Sequence, residues 1–166
     1  MTGSDISRSA RLDRFVDLCS ALTGFDGASL IGTGNAELFW DLLVDRTGTG
    51  NVDALLDAWT NAVADEADRD RALRLCILGD LRFGPMARNL IRLWYVGTWL
   101  QMPQDWRAAH APGLPDGDII PAAQAYTEGL LWPAVGANPP GAKPFGYAMW
   151  SKPPRVTHVS KDTSHA

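Results

Sequence analysis

Up to Glu128 the apolar residues of this 166-residue chain recur every three or four positions, and beyond Glu128 that period disappears. A three-to-four period lines one face of an α-helix, so the first part of the chain is predicted to be a helical body and the last part is not. Leu12, Phe15, Val16, Leu18, Cys19 and Leu22 predict a helix over residues 9–23, with Gly24 as its stop. Asn35 is the expected N-cap of a second helix, which carries Leu38, Phe39, Leu42 and Leu43 and ends at Gly48. Val52, Leu55, Leu56, Trp59 and Val63 predict a third, from Asn51. A charged stretch from Glu66 leads to Leu75, Cys76, Leu78 and Leu81 as the apolar face of a fourth, and Gly84-Pro85 ends that run or begins another. Residues 86–100 hold Trp94, Tyr95 and Trp99 and form the most hydrophobic helix, expected at the centre of the core. Pro103, Pro112, Pro115 and Gly117 mark a loop, and Asp118 caps a short helix ending near Tyr126. The fold class is therefore mainly α. A disordered N-terminus (1–8) precedes a compact bundle of five to six helices (9–128) with little or no β-sheet.

Residues 129–154 contain six prolines and four glycines, so 10 of 26 positions oppose regular helix. Such a fraction suits a linker, yet Trp132, Phe145, Tyr147 and Trp150 are interleaved with it, and solvated linkers seldom carry so many large apolar groups. Burying four aromatics contributes about 15–25 kcal/mol gross, whereas ordering the backbone costs on the order of 26–50 kcal/mol. The aromatics alone do not hold the segment. It also needs aliphatic contacts and main-chain hydrogen bonds to a preformed surface, belonging to its own body, to another chain, or to both. The segment is read as an extended arm that binds a partner through Trp132, Phe145, Tyr147 and Trp150, with Lys143 or Lys152 meeting acidic groups at the rim, ahead of a flexible tail over 155–166. Tyr126 and Glu128 stand where body meets arm. Glu128 is either a surface acid at a helix end or an anchor that accepts hydrogen bonds from amides or an arginine. The helix face around Trp94 and Trp99 is the other candidate coupling surface.

Charge separates the same two parts: residues 1–128 carry 18 acids against 11 arginines, and residues 129–166 four bases against one acid. Four dispersed bases do not make the dense basic face that nucleic-acid binding needs. Arg82, Arg88 and Arg92 interrupt the most hydrophobic region, which excludes a membrane-spanning helix there. Met1 to Arg14 has neither the apolar run of a secretory signal nor paired arginines, so the chain as written is expected in the cytoplasm, with Cys19 and Cys76 as buried free thiols.

A catalytic set is hard to assemble. His158 and His165 lie in the last residues, and His110 is read as a solvated loop histidine. The stretch from Gly136 to Lys143 resembles a phosphate loop only superficially, because consecutive prolines remove the amides a phosphate would need. Asp65, Glu66, Asp68 and Asp70 alternate with arginines and read as a solvated helix start, since acids there complement the helix dipole. Trp94 and Trp99 could stack a ring ligand, but their spacing favours core packing. The expectation is no catalytic residue, no metal site and no cofactor bound by this chain.

Three segments carry a family resemblance: Leu93-Trp-Tyr-Val-Gly-Thr-Trp99, Tyr126-Thr-Glu-Gly-Leu-Leu-Trp132, and Ala134-Val-Gly-Ala-Asn-Pro-Pro-Gly-Ala-Lys-Pro-Phe-Gly-Tyr-Ala-Met-Trp150. They resemble the small (gamma) subunits of membrane-bound FAD-containing sorbitol dehydrogenase, fructose dehydrogenase and bacterial FAD-dependent glucose dehydrogenase. Ser20-Ala-Leu-Thr-Gly-Phe25 is similar to the family's opening helix, so the resemblance covers about residues 10–154. It implies a large partner of the glucose–methanol–choline oxidoreductase type, which carries FAD and the catalytic histidine and oxidises a sugar hydroxyl. The small subunit supports folding, stability and export, in a periplasmic or membrane-associated complex. Family members usually carry a twin-arginine leader, which Met1 to Arg14 lacks. The competing reading is a stand-alone small-molecule binder or enzyme that uses the tryptophan-rich helix with Tyr95 or Tyr126.

Overall fold

Gly48 and Gly97 stand at positive φ, 82° and 70°, and each donates its amide to the carbonyl four residues back, ending a helix where the left-handed conformation suits glycine. Between such stops the computed structural model, which describes residues 3–65 and 68–139, runs as α1 (Gly3–Thr23), α2 (Gly27–Gly32), α3 (Ala36–Thr47) and α4 (Thr49–Asp65). There follow α5 (Arg69–Ala72) continuing into a π-helical turn (Leu73–Leu78), then α6 (Phe83–Val96), α7 (Gln104–His110), α8 (Ala123–Thr127) and α9 (Leu131–Ala134). The protein is mainly helical, as expected. Among the described residues there is no strand, only a single antiparallel bridge in which Trp99 and Ile119 exchange both backbone hydrogen bonds at 2.9 Å.

Contacts divide the chain into a unit over 1–129 and a second over 130–166. In the first, α1 packs against α2, α3, α4 and α6, so its stripe of Phe15, Leu18 and Cys19 is fully buried. Phe39 meets Trp94 edge-on at 4.8 Å and Phe15 meets Trp40 at 5.6 Å. Trp59 donates its indole N–H to Asp17 at 2.7 Å, and Arg69 pairs with the same carboxylate while lying over the Trp59 ring. Arg8, Arg11 and Arg14, three residues apart on α1, reach Asp41 of α3 and Asp53 and Asp57 of α4, so one helical face ties three helices together. Asp26 caps α2 by accepting from the Ser29 amide, which holds its carboxyl below the ordinary value.

Several boundaries and faces differ from expectation. Helix α1 begins at Gly3, within the stretch read as disordered. Asn35 does precede α3, but its side chain makes no capping bond; Thr33 Oγ1 accepts the Asn35 amide instead. The segment expected to be helical to Leu100 stops at Val96, because Gly97 turns the chain and Asn89 then holds Leu100 through both its amide and its carbonyl. Asp118 does not cap a helix. It accepts the Gln101 amide at 2.8 Å, and α8 starts later, after an extended Ala122. Residues 104–110, read as loop, form α7. Trp106 is buried there with its indole N–H on the Arg82 carbonyl at 2.7 Å, and His110 ends the helix half-buried, 5.3 Å from the Trp106 ring. Residues 131–134, inside the segment expected to be extended, make a short helical turn.

The largest change of face lies in the fourth pattern. Gly79 donates its amide to Arg74, five residues back, and the wider π turn adds a residue to the repeat. Leu73 and Ile77, four residues apart, are buried, whereas Leu75, Cys76 and Leu81, expected inside, face out. Cys19 is buried as expected, and burial pushes its thiol well above the ordinary range, countered weakly by the Trp94 indole.

Candidate functional site

Side chains expected to bind a partner separate into three groups. Trp94 and Trp99 are 1% and 0% exposed, so they belong to the core and offer no ring face to a ligand or protein, in line with the packing that their spacing favoured. Tyr126 is 40% exposed on α8 and Glu128, just past it, is half-buried, so both reach the surface of the body at its end. Trp132 is half-buried on α9. Lys143, Phe145, Tyr147, Trp150 and Lys152 lie outside the described residues, as do the tail over 155–166 and Glu66.

The body also carries a groove that the sequence pattern did not reveal. One wall is the end of the π turn and the start of α6, contributing Leu78, Leu81, Pro85 and Arg88; the other is α7 with Pro103, Asp105, Trp106 and His110. Its volume is about 420 Å³, in the range that takes a bulky side chain or small ligand. The walls are fixed by hydrogen bonds rather than by loop packing alone. Asp80 Oδ1 accepts the amides of Arg82 and Phe83 at 2.7 and 2.8 Å and so supplies the cap that α6 lacks at Arg82 itself. Arg88 Nη1 donates to the Leu78 carbonyl at 3.0 Å. Buried Asn51 joins three elements: its amide nitrogen donates to Thr47 O and His110 O, and its oxygen accepts Arg82 Nε.

Chemically the groove presents an apolar floor with mixed charge at its edge, which suits the seating of a side chain. Among the described residues no group of three His, Cys, Asp or Glu side chains is placed to hold a metal ion. The acidic run was correctly read as a helix start at one position, Asp68, whose side chain accepts the Arg71 amide and caps α5. No helix of the described residues is long and apolar enough to cross a membrane. Comparison with known proteins gives no match: no family model, no curated protein and no solved structure is similar to this chain.

Proposed function

We propose that the chain is a non-catalytic small subunit that stabilises and assembles the FAD-containing large subunit of a glucose–methanol–choline type sugar or alcohol dehydrogenase. The observation that carries this reading is residues 129–154, where six prolines and four glycines are interleaved with Trp132, Phe145, Tyr147 and Trp150 in a pattern resembling that family. Prolines stiffen the free segment and lower the entropy lost on docking, while its aromatic surface is too large to favour water. The partner holds FAD and performs hydride removal; this chain contributes surface. The opposed charges of body and arm support a role as a connector rather than as a container for substrate.

A stand-alone binder using the tryptophan-rich helix is the weaker reading, because Trp94 and Trp99 are enclosed. Purification of the full chain alone, then co-expressed with a flavoprotein dehydrogenase of its own genome, separates the two. The subunit reading expects no flavin absorbance and no polyol turnover from the chain alone, and higher yield and flavin content of the dehydrogenase in its presence. Turnover or tight flavin binding by the isolated chain would overturn it.

A further inference from the structure

Three charged side chains line the groove between the start of α6 and α7: Asp80 and Arg88 on the first wall and Asp105 on the second. Elsewhere on the body Arg8, Arg11, Arg14, Arg69 and Arg107 each reach an aspartate within 3.1 Å. Arg88 does not. It makes no ion pair with Asp80, Asp105 or any other acid among the described residues, although it shares a cavity of about 420 Å³ with both aspartates. Each of the three is held to the backbone by one atom. Asp80 Oδ1 accepts the Arg82 and Phe83 amides, Asp105 Oδ1 accepts the Trp106 amide, and Arg88 Nη1 donates to the Leu78 carbonyl. The second oxygen of each carboxylate and Arg88 Nη2 make no hydrogen bond among the described residues. The groove therefore offers two anionic acceptors and one cationic donor, positioned in advance and set apart from one another, with room between them for a ligand's own charges.

We infer that this groove binds a free basic amino acid of the lysine or arginine type. The α-carboxylate meets Arg88, the α-ammonium and the side-chain cation meet Asp80 and Asp105, and the methylenes lie along Leu81, Pro85 and Pro103. The charge count selects this class. Two anions and one cation on the walls match two cations and one anion on the ligand, so the filled groove is neutral. A neutral amino acid leaves one carboxylate uncompensated, a diamine leaves Arg88 without its anion, and an acidic amino acid brings a second anion to two carboxylates. A sugar fits less well, because Trp106 is 4% exposed and has little ring surface free for a sugar to stack on. The site belongs to the helical body and stands apart from the subunit reading, which neither requires it nor falls with it.

Amide signals of the full chain, followed by two-dimensional NMR at fixed ionic strength, test the site. L-lysine and L-arginine are each expected to shift the Leu81, Arg88, Asp105 and Trp106 amides saturably, with half-saturation at about 1 mM or below. L-leucine and cadaverine are expected to bind at least tenfold more weakly, and L-glutamate not at all. Asp105→Asn should weaken L-lysine about tenfold and leave L-leucine unchanged, whereas Arg88→Gln should erase the preference for L-lysine over cadaverine, both with unchanged circular dichroism. The ligand series on the wild-type chain decides the matter even if a variant fails to fold. Groove amides unmoved by L-lysine and L-arginine at about 10 mM would overturn the inference. So would cadaverine binding as tightly as L-lysine, which would assign the groove to a bare cation such as a partner's lysine side chain, or L-leucine doing so, which would show that the aspartates read no side-chain charge.

Discussion

Replacing Gly97 by alanine tests how α6 ends and why Trp99 is not part of it. Gly97 has φ +70°, and a Cβ there would stand 2.6 Å from the backbone carbon and oxygen of Ala125 and 2.8 Å from the Tyr126 nitrogen. The left-handed conformation costs alanine about 1–2 kcal/mol, partly offset by roughly 0.4–1 kcal/mol from the stiffer unfolded chain. The contact adds more, because the atoms met are backbone of α8 and cannot rotate away; overpacking of this kind costs about 1–3 kcal/mol. The sum is about 1–5 kcal/mol, or a fall in Tm of about 2–18 °C for a chain of this size. Gly113 is the control. It has φ +78° but nothing within 4 Å of its added Cβ, so Gly113→Ala should cost only about 1 kcal/mol. Urea unfolding followed by tryptophan fluorescence measures both. Equal losses within about 0.5 kcal/mol would refute the close seating of α8 on the end of α6.

Three further outcomes concern the two cysteines and Asn89. Cys76 should label rapidly in the native chain and Cys19 only in denaturant, and the reverse would contradict the packing of both segments. The raised thiol of Cys19 makes stability full below its ordinary pKa of 9.0; above that value the unfolded chain releases a proton that the folded chain retains, so stability falls as pH rises. Unfolding free energies at pH 8 and pH 10 should therefore converge in Cys19→Val relative to wild type, and an equal alkaline loss in both would sink the assignment. Asn89→Leu should cost about 1–3 kcal/mol, since it leaves the amide and carbonyl of half-buried Leu100 without their partner. Hydrogen exchange at the Leu100 amide should accelerate, and unchanged protection would show that Asn89 does not hold it.

Much of the body was legible because long helices carry their own period. The stripe of α1, the span of α3 between Asn35 and Gly48, and the buried face of α4 follow directly from apolar spacing. Gly97 was a readable stop inside Leu93–Trp99 that hydrophobicity of the flanking residues obscured. The buried face of the fourth segment was not readable: apolar residues stand on both sides of it, and a spacing of three or four fits Leu75, Leu78 and Leu81 as well as Leu73 and Ile77, which are the buried pair. Helices α2, α7 and α8 are five to seven residues long, too short to show a repeat, so Trp106 was missed as a core residue. The groove depends on α7 lying against the start of α6, a tertiary pairing set by Asn51 and the Trp106 indole that no local pattern encodes. For the expected partner-binding set, spacing already favoured core packing for Trp94 and Trp99, whereas the surface places of Tyr126 and Glu128 follow only from the packing.

The proposed coupling of this chain to a flavoprotein runs through the segment after Glu128. Co-expression of a dehydrogenase of its genome with the full chain, and separately with a chain ending at Gly129, tests it when the affinity-purified material is assayed for flavin absorbance and sugar oxidation. The full chain is expected to bring down an active, yellow complex, and the shortened chain to purify alone, with the far-ultraviolet helix signal of its body retained. A shortened chain that still brings down fully active dehydrogenase at normal yield would contradict the account.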